Sequence, residues 1–594
     1  MSLVWDLSPI YESIESDVYR QDKKNYIEKI KSLNNWSSKN FNDKNSSKTD
    51  ITKKLEYYVI EKNELAKYSK LSLYLNLISS TDTSNEKYLK EIDEIEEIEL
   101  SLTEHEVNFI HFLKGIENIE EIISSSDILK EYAFYIEELK DQSHYTLSSI
   151  EESIISKMKK NGSMLFEKQW TQLSSNLLVD MEKDGKTGQY PLSEIRNLAY
   201  SENAELRKKA YESELEAYKK IDTASAFSLN GIKGEVITIA KMRGYSSPLD
   251  MTLKNSRIDE KILNTMFSAI KQNIPEIQKY FLKKAELLGH KNGLPFYDLF
   301  APIDSDDIKF SYDEAKDFVI KNFTDFSEKL GDFAKNAFDK NWIDVMPKKG
   351  KVGGAFCEAI HAIKESRVLT NFTGTLNDAV TLAHELGHAY HDSCLYTANE
   401  LSCDYPMPIA ETASTFCETL ILNSALKTAT EKEKRIILEN DLSGIAQTIV
   451  DIYSRFLFED EVFKRRERGF VSVNELNEIM LSAQKTAYGK GLDENYLHKY
   501  MWVCKPHYYD AEFNYYNFPY AFGLLLSKGL YAKYLEDKTA FISTYDKMLS
   551  LTGKNNIADC VKICGIDLYD INFWLSGLKM VNEEIKEFIN IIKN

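Results

Sequence analysis

The spacing of apolar and polar positions predicts a chain built mostly of helices. Between residues 48 and 160, apolar side chains recur every three or four positions among glutamates, as in EKYLKEIDEIEEIELSLTEHEVNFIHFLKGI. This repeat is typical of helices with one face in the core and one in solvent. Long helical patterns return beyond residue 200 and, after residue 374, continue to the C-terminus. Glycine (24) and proline (11), which interrupt helices, are scarce in this chain of 594 residues.

The helical pattern is interrupted in three segments. Near 181–199 two glycines and a proline cluster and the periodicity stops, so we predict a boundary there between an N-terminal helical region and the rest. A second irregular zone covers about 290–310. The third segment, 347–374, joins the glycine-rich PKKGKVGGAFCEAI to SRVLTNFTG, which is rich in β-branched and aromatic residues. It predicts a small strand pair, the only sheet we expect.

Composition narrows the class of protein. With 43% hydrophobic and 28% charged residues the chain is typical of a soluble globular protein, and its length exceeds what one hydrophobic core usually serves. The formal net charge of −19 argues against nucleic-acid binding, which needs a concentrated basic face. Basic clusters such as KRRER at 464–468 are short.

The cysteines, the N-terminal sequence and the apolar stretches of the chain together indicate its cellular compartment. The seven cysteines are an odd number and all lie at or after Cys357, which is not a disulfide framework and suggests a reducing environment. The start MSLVWDLSPIYESIESDVYR lacks the basic and apolar regions of a secretory signal. No stretch approaches the roughly 18 unbroken apolar residues of a membrane span. We therefore predict a cytoplasmic protein that contacts neither membrane nor nucleic acid.

The segment NDAVTLAHELGHAYHDSC, residues 377–394, carries the strongest chemical signal. It lies in a predicted helix that opens with a capping box of Thr375 and Asp378. On a helix, His384 and His388 share one face and can each direct a nitrogen at one metal ion. Glu385 projects about 100° round the axis, where it can reach a water held by the metal. This is the HExxH arrangement of two zinc ligands and a general base.

A catalytic zinc site with two histidines needs a third protein ligand. The segment PMPIAETASTFCETLILNSALK predicts a second helix with four polar side chains on one face: Glu411, Ser414, Thr415 and Glu418. Because unpaired carboxylates are costly to bury, this face needs partners. We predict Glu411 as the third ligand and Glu418 as a group that hydrogen-bonds a ligand histidine. His391 is expected to support a ligand or to be structural.

These motifs resemble the oligoendopeptidase F branch of the thimet-oligopeptidase-like zinc metallopeptidases. HELGHAYH and AETASTFCE carry the resemblance, and WDLSPIYES, GGAFCEAI and HYYDAEFNYYNFPYAFGLLLSKGLY extend it over nearly the whole chain. It implies a mainly α fold: a large helical two-lobed body with a deep central channel and a small β-sheet beside the HExxH helix, as in zincins. With the boundary above, we expect an N-terminal helical region (1–110), a helical oligoendopeptidase N-terminal domain (111–190) and a zinc metallopeptidase catalytic domain (191–594).

The resemblance also implies a cofactor and a substrate class. One zinc ion per chain would be bound by His384, His388 and Glu411, with Glu385 as the catalytic base. Oligopeptides, not folded proteins, would be the substrates. The chain is expected to act as a monomer or a homodimer.

Donors for the developing oxyanion are expected in PHYYDAEFNYYNFPYAF. Its histidine and dense tyrosines can stabilise an oxyanion without adding a carboxylate's charge. In the resembling family a histidine and tyrosines of this region contact substrate and transition state. His507 matches that histidine, and Tyr516 and Tyr520 match the tyrosines best. An aromatic core helix is the alternative for each tyrosine.

The glycine-rich GKVGGAFC lacks the order of a phosphate-binding loop. We predict instead that Gly353 and Gly354 expose backbone beside an edge strand at about 367–373. Such an edge can pair with an extended peptide through main-chain hydrogen bonds, which gives affinity with little sequence preference.

The leading hypothesis is therefore a zinc-dependent endopeptidase that hydrolyses internal bonds of short oligopeptides. A carboxypeptidase- or aminopeptidase-like zincin remains an alternative, since the same motif serves such enzymes. A helical peptide-binding protein without catalytic activity is a third possibility. Glu385 argues against it, because a structural zinc site does not use a glutamate beside its ligand.

Overall fold

The computed structural model describes residues 3–41, 47–183, 185–304 and 308–593. It is mainly helical, as the sequence predicted. The N-terminal helices are α1 (Asp17–Asn40), α2 (Lys48–Ala66), α3 (Lys70–Ser80), α4 (Glu86–Leu100), α5 (Thr103–Lys114), α6 (Ile119–Ser124), α7 (Asp127–Glu131), α8 (Ala133–Ser143), α9 (Ser149–Asn161) and α10 (Ser163–Ser175). None of the helices in the described part of the chain has the length and apolar character to cross a membrane.

The helices continue through the remainder of the chain. The middle part holds α11 (Leu192–Asn197), α12 (Ala204–Tyr218), α13 (Asp222–Arg243), α14 (Pro248–Asn255), α15 (Glu260–Leu287), α16 (Tyr312–Phe326) and α17 (Glu328–Asp339). The C-terminal part holds α18 (Leu376–Leu395), α19 (Met407–Thr428), α20 (Glu431–Ala446), α21 (Ile452–Arg466), α22 (Val473–Tyr488), α23 (Met501–Cys504), α24 (Phe518–Glu536), α25 (Lys538–Leu549), α26 (Ile557–Lys562) and α27 (Ile571–Lys593). A π-helical turn, Gln447–Asp451, joins α20 to α21.

The two helices of the predicted metal site begin as their sequences indicate. Thr375 caps α18, and Asp378 completes a capping box in which each side chain pairs with the other residue's backbone N–H. This satisfies two of the free N–H groups of the first turn. Helix α19 begins at Met407 with Pro408 in its first turn, where the missing proline N–H costs nothing.

The segment where strands were predicted supplies two strands of a three-stranded sheet, and the order of this sheet corrects one expectation. Strands β4 (Phe356–Ile360) and β5 (Glu365–Leu369) form an antiparallel pair, and the short β3 (Ile343–Asp344) adds in parallel to β5. The order β3-β5-β4 places β5 in the centre. The predicted edge strand at 367–373 is therefore wrong, because β3 covers β5 on its other side. Within the described residues, β4 and the short β3 are the two edge strands of this sheet.

A second sheet lies where the sequence predicted only a boundary. Strands β1 (Leu178–Lys183) and β2 (Lys186–Pro191) pair in antiparallel fashion, so the expectation of a single sheet is wrong. Only alternate residues of β1, Val179 and Met181, are buried. The other positions of the two strands are mostly polar, so the sequence pattern there predicted a loop. The sequence Asp-Gly at 184–185 is nevertheless a typical hairpin turn signal.

Buried apolar side chains form separate clusters within the described residues. One cluster runs from Trp5 to Ile136 and includes Ile360 and Leu369 of the sheet. The largest runs from Val236 to Phe588 and holds α18, α19 and α24. A third combines residues between 170 and 232 with residues between 458 and 509. The sheet thus packs against the N-terminal cluster on one side and, through Val368, against the largest cluster on the other.

Candidate active site

Helices α18 and α19 cross closely and bring the three predicted metal ligands together. The Nε2 atoms of His384 and His388 lie 3.2 Å apart. A carboxylate oxygen of Glu411 lies 3.3 Å from the first nitrogen and 3.5 Å from the second. The close crossing depends on Gly387, since a Cβ there would lie 2.7 Å from the Cα of Ser414. A small residue between the two histidines lets the helices approach.

Neighbouring side chains orient two of these groups. The Nδ1 atom of His384 lies 2.5 Å from a carboxylate oxygen of Glu418, which lies two turns beyond the predicted ligand Glu411 on α19. Ser414 donates to the carboxylate of Glu411 at 3.0 Å. Because an ionised carboxylate only accepts, Glu418 holds a proton of His384 at Nδ1, which leaves Nε2 as the nitrogen that faces Glu411 and His388.

The electrostatics of the cluster follow from burial and short contacts. Burial disfavours the charged form of Glu411, but hydrogen bonds with His384 and His388 outweigh burial and hold its pKa well below the usual range. Burial likewise disfavours imidazolium at His384, yet Glu411 and Glu418 raise its pKa to about 10. Without a shared cation, the two carboxylates therefore favour a protonated His384.

The residues present fit a divalent metal ion. Two imidazole nitrogens and one carboxylate oxygen converge, with their ligand atoms all within 4.8 Å of one another. This N, N, O donor set matches the three protein ligands of catalytic zinc sites, in which a fourth position remains for water or substrate.

Glu385 lies beside this cluster and is 5% exposed. Burial raises the pKa of its carboxyl group, while the neighbouring histidines act in the opposite direction. Strand β4 lies nearby: burial, and then the charges of Asp392 and Glu385, raise the pKa of Cys357. The glutamate of the motif is therefore buried on a helix that packs near β4.

His391 does not join the cluster. It is fully buried, and its Nε2 lies 2.8 Å from the hydroxyl of Thr552. Its ring stacks on Tyr405 with centroids 4.0 Å apart. Burial lowers its pKa to about 3, so the ring is neutral and packs as part of the core.

His507, Tyr516 and Tyr520 form an aromatic stack. The rings of His507 and Tyr516 are 4.7 Å apart and 21° from parallel, and Tyr520 lies 6.3 Å from His507. Other tyrosines of the segment are core residues: Tyr508 and Tyr509 are fully buried. The structure thus separates the stack from the buried tyrosines, which the sequence could not do.

A cavity of about 380 Å³ opens beside the cluster. Four of the predicted site residues line it: His384, Glu411, Glu418 and Tyr520. Asn440 and Asp441 of α20 also line it, and the sequence analysis did not single them out. They lie in a helix with no motif, so only the three-dimensional packing reveals them.

Gly353 and Gly354 lie in the loop that leads into β4. A Cβ at either position would meet open space, and Gly354 has a φ of +80° that side-chain-bearing residues rarely adopt. Asn371 donates to the carbonyls of Val352 and Gly354 at 3.0 and 2.8 Å. The loop is therefore open to solvent yet held in place.

Comparison with protein families and known structures identifies the relatives of this chain. The model of the family described as Peptidase family M3 matches residues 197–580. The model of the family described as Oligopeptidase F matches residues 115–182. The first match alone covers more than half of the chain.

Individual relatives span most of the chain. Oligopeptidase PepF of Bacillus subtilis (strain 168) is 24% identical over 543 residues, which cover 89% of this chain and 79% of the relative. A solved structure from Chlamydophila abortus has a TM-score of 0.84 at 23% identity and covers 100% of this chain and 99% of its own. The structure of oligoendopeptidase-F from Enterococcus faecium has a TM-score of 0.71 at 18% identity, and the match covers 97% of this chain and 99% of that structure. At these identities the two structures establish the shared fold.

Proposed function

This chain belongs to peptidase family M3, and from that premise we propose that it is a zinc-dependent oligoendopeptidase that cleaves internal bonds of short peptides. It is a metalloendopeptidase by family; zinc, the residue roles and the substrate length are the proposal. The observation that carries it is the convergence of His384, His388 and Glu411 beside the enclosed Glu385.

His384, His388 and Glu411 would hold the zinc ion. When bound there, zinc supplies a Lewis acid that polarises the scissile carbonyl and lowers the pKa of water toward neutrality. Glu418 keeps His384 in the tautomer whose Nε2 is free to bind.

Glu385 is the general base. Its position on the helix, about 100° from His384, places its carboxylate beside the ligands without making it one of them. It accepts a proton from the attacking water and then returns that proton to the leaving amine, acting first as base and then as acid. Its enclosed position keeps bulk water away from this transfer.

The aromatic stack contacts the substrate and the developing oxyanion. Tyr520 lines the same cavity as His384 and Glu411, and Tyr516 and His507 stack beside it. Phenol hydroxyl groups can donate to an oxyanion that forms next to them. His507 contacts the substrate from the same stack.

The free edge of β4, with Gly353 and Gly354, binds the substrate backbone. Main-chain pairing with an extended peptide gives affinity that depends little on side chains. We infer broad sequence preference and peptides as the partners. The expectations of a monomer or homodimer, of a cytoplasmic location, and of a two-lobed body with a deep channel remain predictions.

The test is hydrolysis of an end-blocked, internally quenched short peptide. Wild type should cleave it, a chelator should abolish cleavage, and added zinc should restore it. Glu385→Gln should bind zinc but cleave about 10²- to 10⁴-fold more slowly. Casein, as a long-chain control, should remain largely intact.

Three outcomes would contradict the proposal. Wild-type cleavage rates in Glu385→Gln would exclude it as the base. Cleavage only of peptides with a free terminus would favour a carboxypeptidase- or aminopeptidase-like enzyme. Zinc binding without any cleavage would favour a peptide-binding protein.

A further inference from the structure

The loop between His507 and α24 is held by one charged face of a neighbouring helix. Asp451, at the end of the π-helical turn, is followed at four-residue intervals by Arg455 and Glu459 of α21. Residues four apart share one helix face. Asp451 is 5% exposed, Glu459 is 1% exposed and the Arg455 side chain is 14% exposed. Buried charges of this kind need specific partners, and the loop supplies some of them.

Glu459 anchors the middle of the loop. Its carboxylate accepts from Lys233 at 2.6 Å and from the backbone N–H of Tyr515 at 3.1 Å. Lys233 also donates to the side chain of Asn514 at 2.9 Å. Tyr515 has a φ of +53°, a left-handed conformation that a bulky residue rarely adopts unless its surroundings hold it.

Arg455 anchors the end of the loop through Asn517. It pairs with Asp451 at 2.5 Å and donates to the side-chain oxygen of Asn517 at 2.9 Å. The same oxygen lies 2.6 Å from Nδ1 of His507. Asn517 is 2% exposed, so this chain of contacts is sheltered from solvent.

The amide of Asn517 can take only one orientation. Arginine has only donors, so the atom that faces Arg455 must be the oxygen. Asn517 is the N-cap residue of α24, yet its side chain makes no capping hydrogen bond, although asparagine commonly caps in this position. The side chain therefore serves Arg455 and His507 in place of the helix.

This orientation fixes the proton of His507. An amide oxygen only accepts, so Nδ1 of His507 must carry the hydrogen that it shares with Asn517. Burial also lowers the pKa of His507, which favours the neutral ring. In that neutral ring the other nitrogen, Nε2, has no proton and acts as an acceptor.

We propose, on the basis of the function proposed above, that Asn517 is a positioning residue: held by Asp451 and Arg455, it fixes the ring and the tautomer of His507 so that Nε2 accepts a hydrogen bond from the substrate. This changes the role expected for His507. A nitrogen without a proton cannot donate to an oxyanion, so the tyrosines of the stack supply those donors. His507 instead receives a substrate N–H group.

The kinetic test compares two replacements of Asn517 with wild type on the end-blocked peptide. Asn517→Leu has a similar size but no acceptor, and kcat should fall about 10- to 100-fold, the cost of misplacing a catalytic group. Asn517→Asp restores an acceptor for both His507 and Arg455 and should recover most of the activity. Zinc content should be unchanged in both variants, because neither contacts the metal ligands.

The second readout is the tautomer itself. Nitrogen-15 NMR of the histidine rings distinguishes Nδ1–H from Nε2–H, and His507→Gln identifies the signal that belongs to His507. Wild type and Asn517→Asp should show Nδ1–H, while Asn517→Leu should lose this preference. A residue that only supports the fold would not change the tautomer.

The outcomes separate this proposal from the function it rests on. Wild type that cleaves no peptide overturns the function, and the NMR result still decides the tautomer. Wild type that cleaves, with Asn517→Leu at the same kcat, overturns the positioning role. An Nε2–H tautomer in wild type, or equal loss of activity in both variants without a change of tautomer, overturns it as well.

Discussion

At the metal cluster, the ring of His384 is held from two sides. Glu418 fixes its Nδ1 proton at 2.5 Å, and Glu411 and His388 meet its Nε2. A carboxylate behind a ligand histidine keeps the correct nitrogen free and makes it a stronger ligand. We therefore expect Glu418 to affect metal binding without touching the metal.

Replacing Glu418 should weaken zinc binding without removing a ligand. In Glu418→Ala the zinc dissociation constant should rise about 10- to 100-fold, measured by competition with a chelating dye. Glu418→Gln keeps an acceptor oxygen for Nδ1–H and should lose less affinity. Equal affinities in wild type and Glu418→Ala would show that this hydrogen bond does not orient His384.

Single residues were the most predictable part of the site. The four-residue spacing of His384 and His388 follows from helix geometry alone, and Glu411 and Glu418 follow from a polar face on an apolar helix. Asn517 and Arg455 could not be found in this way. They lie 62 residues apart, and neither belongs to a motif, so only the folded chain shows that they meet.

At the scale of elements, the crossing of α18 and α19 sets the distance between ligands. The two helices approach each other closely at Gly387, where an added Cβ would lie 2.8 Å from the carbonyl oxygen of Ala413. Backbone on the opposite side cannot move aside as a flexible side chain can. The glycine inside the HExxH sequence therefore has a packing role.

Gly387→Ala should push α19 away and move Glu411 from the histidines. We expect a loss of about 1 to 3 kcal/mol of stability from overpacking, together with weaker zinc binding, measured by thermal unfolding and zinc titration. Gly444→Ala is the control, since its Cβ would meet nothing within 4 Å and alanine favours a helix. Unchanged zinc affinity in Gly387→Ala would contradict this role of the crossing.

The sheets show where element prediction from sequence fails. Strands β4 and β5 were visible because glycine and β-branched residues stand out among helices. Their order in the sheet could not be predicted, because it depends on β3. This strand has only two residues, lies before the segment 347–374 and pairs with β5. The hairpin of β1 and β2 was missed because its strands are polar and mostly exposed.

At the scale of the whole molecule, the sheet links the N-terminal cluster to the largest cluster. Leu369 packs in the first and its neighbour Val368 in the second. The alternation of side chains along a strand makes this possible. The stability of the N-terminal helices is thereby connected to the strands beside the active-site helix.

The N-terminal cluster should lose stability in mild acid because of His105. This ring is fully buried and pairs with the Tyr58 hydroxyl at 3.0 Å. Burial lowers its pKa from 6.5 to about 3. In the native state His105 therefore stays unprotonated below pH 6.5, while in the unfolded state it takes up a proton. As a consequence, the free energy of unfolding decreases as the pH falls from 6.5 toward 3.

The size of this effect can be measured. Between pH 6.5 and pH 5 the free energy of unfolding should decrease by about 2 kcal/mol, at 1.36 kcal/mol per pH unit. Thermal unfolding at pH 7 and pH 5 should show a smaller decrease for His105→Gln than for wild type. The same decrease in both proteins would mean that His105 does not carry this pH dependence.

We propose that one zinc ion, held by His384, His388 and Glu411, makes this chain a peptidase with Glu385 as its base. The most direct measurement is a titration of zinc into metal-free protein while hydrolysis of the end-blocked peptide is followed. The rate should rise in proportion to zinc and level off at one equivalent per chain, and Glu385→Gln should take up the same equivalent without gaining activity. Full activity in the metal-free protein, or a rate that needs two equivalents, would contradict the account.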